Sequence, residues 1–136
     1  MQRVKHFLGG DRFAARNGIR LLTVSPGQAT AEMVLAPHHW NGMENVQGGA
    51  IFTLADFTFA AASNSHGTIA VAINTSITFM KAAREGTLHA EARELSKNFR
   101  LGSYIVEVKD DAGELIAVFQ GLAYRKQDPV PEIPPS

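Results

Sequence analysis

The chain has 136 residues, with 13 basic and 13 acidic side chains, five His, no Cys and 45% of its positions hydrophobic. That is one domain's worth of chain, able to bury roughly two-thirds of its unfolded surface. A formal charge of zero lacks the basic surplus on which nucleic-acid or anionic-membrane binding rests, so neither partner is expected. Without Cys there are no disulfides, thiolate zinc sites or cysteine nucleophiles. No apolar run reaches the ~20 residues of a spanning helix. The opening Met1 to Gly10 lacks the pattern of a secretory signal, which makes a cytoplasmic setting the expectation.

Residues 1–18 form an N-terminal helical segment. Asp11 to Arg16 reads as a short helix in it, with Asp11 as N-cap, Phe13 as its apolar contact and Gly18 as its stop. The domain proper is expected over 19–126. Ile19 to Val24 and Ala29 to Leu35 are short apolar runs joined by Ser25-Pro26-Gly27, the turn chemistry of a hairpin. Ala36 to Asn45 holds Pro, Gly and two Asn without a period and reads as an irregular loop. Gly48 to Asn64 is rich in Ala and Leu, ends before Gly67, and is apolar nearly all the way round, which predicts a buried helix.

Ile69 to Phe79, Thr87 to Leu95, Ser103 to Lys109 and Leu115 to Tyr124 read as a four-strand meander, with Asp110-Asp111-Ala112-Gly113 as its clearest turn. Four of the six prolines fall after Asp128, so 127–136 is expected as an extended or disordered tail. A hairpin, one apolar helix and then strands, with no βαβ alternation, give an α+β class: an antiparallel sheet curled around a long central helix.

Between Glu44 and Lys81 the sequence has one formally charged residue, Asp56, midway along the most apolar helix. Turning a carboxylate toward an apolar core costs several kcal/mol unless it is paired or its pKa rises. Two explanations stand side by side: Asp56 is functional, or it lies on a solvent-facing stripe or accepts hydrogen bonds from Thr53 or Ser neighbours. Gln47-Gly48-Gly49 opens the same helix, where unpaired N–H groups and the positive end of the dipole suit an oxyanion. By itself a Gly-Gly pair says little, since most such pairs only make turns. Gly48 and Asp56 are eight residues apart, or about 12 Å along a helix, so one carbonyl cannot touch both. If they act on one group, they come from two copies of the chain with antiparallel helices across a two-fold axis.

Asn41, Gln47-Gly48-Gly49, Leu54-Ala55-Asp56, the strand Val71 to Met80 and the run Ser96 to Val108 resemble the hotdog-fold acyl-CoA thioesterases of the phenylacetic-acid degradation (PaaI-like) type. The resemblance runs from Ile19 to Arg125. It implies a central helix wrapped by five to six antiparallel strands, homodimers with shared sites paired into tetramers, and hydrolysis of an acyl-CoA substrate with no further cofactor. Under it, Asp56 is the general base or nucleophile, the Gly48 backbone N–H with Gly49 beside it polarises the carbonyl, and Asn41 orients water or substrate. Gln47 stands where many relatives have His, and it cannot titrate. Ala72 stands where some use Ser, and Asn74 and Ser76, sharing its face by strand alternation, are the possible substitutes. Lys81, Arg84, Lys97 and Arg100 lie where the family meets the nucleotide phosphates. Phe52, Phe57, Phe59, Ile77 and Phe79 line an acyl pocket or simply fill the core.

His38 and His39 are adjacent and in extended chain point opposite ways, so no metal site is expected. His66 near the helix end and His89 on an exposed strand face need no catalytic role. No GxSxG, P-loop or GxGxxG is present. The alternatives to a thioesterase are a non-catalytic acyl-CoA-binding hotdog protein, motivated by Gln47, and a dehydratase or hydratase, which would need a catalytic His beside the helix.

Overall fold

In the computed structural model, residues 1–135 are described. Helices α1 (Gln2–Gly9) and α2 (Arg12–Arg16) precede strands β1 (Ile19–Ser25) and β2 (Gln28–Val34). The long helix α3 (Gly48–Ser63) follows, and then come β3 (Thr68–Phe79), β4 (Thr87–Lys97), β5 (Leu101–Lys109) and β6 (Leu115–Pro129). The six strands form one antiparallel sheet in the order β1-β2-β4-β5-β6-β3. The expected architecture is therefore present, a helix packed into a curved sheet. No helix is long and apolar enough to cross a membrane among the described residues.

Alternation on the strands places the core. Tyr104, Val106 and Val108 of β5 and Ala117, Phe119 and Ala123 of β6 are all buried on the face that meets α3. The Phe59 ring sits 5.5 Å from both Tyr104 and Phe119. Burying such a ring is worth about 1.5–3 kcal/mol, and β6 makes room for it with Gly121, where a β carbon would come within 2.8 Å of Phe59. The β1–β2 turn needs Gly27 at φ +73, in the left-handed region that glycine enters freely.

Four expectations change. β3 leaves the meander for the far side of β6, because β2 pairs with β4 from Gln28–Arg93 to Val34–Thr87 and closes that edge. β6 does not stop at Tyr124: Pro129 pairs with Thr68, the Val130 N–H donates to Gly67 O (2.9 Å), and Val130 is buried. The fold thus continues past the boundary at 127, with Pro129 at a strand end where a missing donor is harmless. Ser136, the last tail residue, lies outside the described residues. On α2 the Asp11 carboxylate does cap the helix, accepting the Ala14 N–H at 3.0 Å, but Phe13 is 66% exposed and Ala14 makes the core contact. A helix of five residues offers the core a single position, and Ala14 occupies it.

Candidate active site

The site starts at the N-terminus of α3. The Gln47 N–H donates to His39 O at 2.7 Å and its carbonyl accepts from Ala50 and Ile51, which pins the helix entrance while the side chain stays exposed and unbonded. Among the described residues neither the Gly48 nor the Gly49 N–H has an acceptor, so two donors at the positive helix end are free. Gly48 is backed by the Phe79 ring, 3.0 Å from where a β carbon would stand. A β carbon there would need the half-exposed Phe79 ring to give by a few tenths of an ångström.

Around this entrance Phe13, His38, Trp40, Gln47, Gly49 and Thr53 line a groove of about 550 Å³. Asn41 follows Trp40 in the chain but does not line the groove; its Oδ1 accepts from the Met43 and Asn45 N–H groups at 2.9 and 3.2 Å. That oxygen is therefore engaged in the loop, and only the amide nitrogen is left to face a ligand. His39 is buried, with Nδ1 accepting the Ala36 N–H (3.0 Å) and Nε2 donating to Asn17 O (2.8 Å), and burial lowers its pKa. A 3₁₀ turn over Pro37–His39 brings the two imidazoles side by side, ring centroids 4.1 Å apart, rather than pointing them opposite ways. Even so, no group of three or more His, Cys, Asp or Glu that could hold a metal occurs among the described residues.

Asp56 lies two turns further on. It is half-buried on the least covered stripe of α3, together with Gly49, Thr53 and Ala60, and forms no hydrogen bond or ion pair among the described residues. The Thr53 hydroxyl donates to Gly49 O (2.7 Å) instead, so the expectation that Thr53 satisfies the carboxylate fails. Burial raises the Asp56 pKa, and the like charge of Asp11 raises it further. The result is a carboxylate kept basic, partly dehydrated and without a partner.

The remaining expected residues do not converge. β3 carries a bulge between Ala72 and Asn74, so that Ala72 pairs with inward-facing Ala123 while Asn74 pairs with Leu122 and Ser76 with Gln120. A bulge flips the alternation, and Asn74 and Ser76 consequently lie on the outer face of the sheet, away from α3, instead of sharing the face of Ala72. Lys81 is held by Glu114 (2.6 Å) and Asp110 (3.5 Å), and Arg84 by Glu44 (3.1 Å) over the Trp40 ring. Among the described residues Lys97 forms no ion pair, and Arg100 donates to the Tyr124 hydroxyl (2.8 Å). These four cations form two separate groups, the first pair near the start of α3 and the second at the β4–β5 turn. Of the candidate acyl-pocket residues, Phe57 and Phe59 are core, Phe52 packs edge-on to Phe119, and Phe79 covers Gly48.

Sequence reading missed the polar cluster at the other end of the helix, where Glu94 Oε2 meets His66 Nε2 (2.6 Å) and the Tyr104 hydroxyl (2.8 Å). It missed Arg125 as well. The inward period of β5 was the one signal for Tyr104, and nothing local joins 66 to 94.

Residues 43–117, which include Gly48 and Asp56, match the family model described as Thioesterase superfamily. Over 133 residues the chain is 43% identical to an Archaeoglobus fulgidus protein named "Putative esterase", covering 96% of this chain and 86% of that one. It is 33% identical over 116 residues to the acyl-coenzyme A thioesterase PaaI of Escherichia coli K12, covering 85% and 83%. The solved structure of the E. coli PaaI protein from the phenylacetic acid degradation operon superposes with a TM-score of 0.92 at 30% identity, covering 96% of this chain and 95% of that one.

Proposed function

This chain belongs to the thioesterase superfamily and is a thioesterase of the PaaI-like hotdog type, and from that premise we propose that it hydrolyses acyl-coenzyme A thioesters to the free acid and coenzyme A. One observation carries the reading. Along α3, among the described residues, a half-buried Asp56 without a hydrogen bond stands eight residues from a Gly48 N–H without an acceptor.

In this reading Asp56 takes a proton from water, the water oxygen attacks the thioester carbonyl, and the oxyanion is received by the Gly48 N–H, with Gly49 beside it. Collapse of the tetrahedral species expels the coenzyme A thiolate, which takes up a proton. A raised pKa makes Asp56 the better base, or the better nucleophile if the carboxylate itself attacks. One oxyanion donor of this kind is worth about 3–4 kcal/mol in the transition state.

Donor and base come from two subunits. The ~12 Å between Gly48 and Asp56 forbids a site within one chain, and β3 supports the pairing. It is an edge strand of 12 residues that leaves Val71, Ile73 and Phe79 exposed, with exposed Met80 just past its end. Long apolar edges are templates for another strand, and joining β3 to its two-fold copy sets the two α3 helices antiparallel. Coenzyme A phosphates are assigned to Lys97 and Arg100, which no carboxylate holds among the described residues. The reaction is set in the cytoplasm, in a homodimer that pairs into a tetramer.

Steady-state assays on aryl-CoA and medium-chain acyl-CoA thioesters, following thiol release, test the reaction. Turnover that collapses in Asp56→Ala is expected; binding without turnover across the panel removes acyl-CoA hydrolysis. Mixing Asp56→Ala subunits with Gly48→Val subunits should restore activity, since each heterodimer then has one intact site. Inactive heterodimers of verified composition would rule out sharing.

A further inference from the structure

Among the described residues, three buried side-chain polar atoms have no hydrogen-bond partner: Thr68 Oγ1, Arg125 Nε and Arg125 Nη1. Both residues line one cavity, about 350 Å³, where β3 begins and β6 nears its end. Lys97 and Lys126 also line it, and no acidic residue does. The nearby Glu94 is engaged with His66 and Tyr104 through the same oxygen. Arg100 lies just outside, its carbonyl accepting the Arg125 N–H at 2.6 Å and its guanidinium directed to Tyr124.

Folding alone does not favour this arrangement. Two guanidinium nitrogens of partly buried Arg125, withdrawn from water without a partner, lose hydration and gain no hydrogen bond in return. Three cations around one opening also repel each other. Both penalties vanish when an anion with several acceptor oxygens enters. The Arg125 backbone is fixed in the sheet while its side chain is held by no hydrogen bond among the described residues, which leaves the planar fork's donors available to such a guest.

We propose that this cavity binds a phosphate group, with the Arg125 guanidinium as its fork, the Thr68 hydroxyl as a neutral donor and Lys97 and Lys126 balancing the charge. Phosphate suits the cavity better than a carboxylate, because its charge approaches two and its oxygens reach donors on several sides. The group is either free inorganic phosphate or a phosphate monoester carried by the substrate. The first source needs no thioester chemistry; the second rests on the acyl-CoA reading above.

Calorimetric titration of inorganic phosphate into the full chain, in chloride buffer, tests the site. Saturable binding is expected, weakened roughly tenfold or more in Arg125→Gln, as the loss of a charged hydrogen-bond donor implies. The absence of saturable binding, or equal affinity in Arg125→Gln, would overturn the proposal. If Arg125→Gln does not fold, Thr68→Val and Lys97→Gln decide, and unchanged phosphate affinity in both has the same force. Comparing KM for an acyl-CoA and its dephospho-CoA counterpart separates the sources: a preference that disappears in Arg125→Gln assigns the monoester, and equal KM values beside phosphate binding assign the free anion. Loss of turnover with phosphate binding intact strikes the thioester reading alone.

Discussion

The two ends of α3 are built on opposite plans. At the C-terminal end, Asn64 donates to Ala60 O and Ala70 O and accepts from the Ala70 N–H, while the Ser65 hydroxyl donates to Ala62 O and accepts from the Gly27 N–H. His66 and Tyr104 converge on Glu94 beside them. At the N-terminal end the Gly48 and Gly49 N–H groups and the Gln47 side chain have no partner among the described residues, and Asp56 two turns on has none either. Buried polar groups that serve the fold are satisfied by it. The groups left open at the other end are partly or wholly exposed, and in the reading proposed above they are where a substrate would supply the partner.

Replacing Asp56 by Asn is the largest test of this contrast. Removing a general base lowers kcat by roughly a hundredfold to ten-thousandfold. Stability should hold or rise slightly, because the neutral amide no longer has a half-buried charge to dehydrate. Turnover and thermal unfolding measured together check both signs, and a less stable but fully active variant would make Asp56 a structural residue. At the other end, Asn64→Ala is expected to cost about 2–3 kcal/mol in urea unfolding, since it strands buried backbone partners, while kcat of the folded protein is unchanged. A stable variant with collapsed turnover would reverse the assignment of the two ends.

The same division explains what the sequence disclosed. The strand and helix periods, the Pro26-Gly27 and Asp110 to Gly113 turns and the apolar α3 follow from residues close in the chain, and the sheet-around-helix plan was legible. So was Asp56, because one charge in a long uncharged stretch stands out against the cost of burying it. The bulge at Ile73 was not: one inserted residue, dictated by pairing with β6, moved Asn74 and Ser76 to the outer face. Nor was the far position of β3, which depends on which strand edges remain free. Arg125 lacks a partner only in three dimensions, and in the sequence it is one cation before another.

A smaller effect separates the ends by pH. Burial pushes the Glu94 carboxyl up, but hydrogen bonds from His66 and Tyr104 and the charges of His66 and Lys97 outweigh it, leaving its pKa below the ordinary glutamate value. A carboxylate of this kind contributes stability above its unfolded pKa and loses it as pH falls through the folded one. Urea unfolding of wild type and Glu94→Gln should therefore differ most near neutrality, and the gap should narrow on acidification below the usual glutamate range. A gap independent of pH would mean that the ionised form is not what holds the C-terminal end together.

The finest test concerns Asp11, whose like charge raises the Asp56 pKa. Burial is the larger cause of the rise in the Asp56 pKa and Asp11 adds to it, so with Asp56 as the base the acid limb of kcat/KM is expected above the ordinary aspartate value. Asp11→Asn removes the like charge, lowers the Asp56 pKa and moves that limb to lower pH, without returning it to the ordinary value because the burial remains. Asn caps a helix about as well as Asp, so the Ala14 N–H keeps its acceptor and α2 its stability. Added salt should produce part of the same displacement in the wild type and less in Asp11→Asn, since screening acts on the charge and not on the burial. A limb that ignores both the substitution and the salt would mean that the group titrating in catalysis is not the carboxylate at position 56.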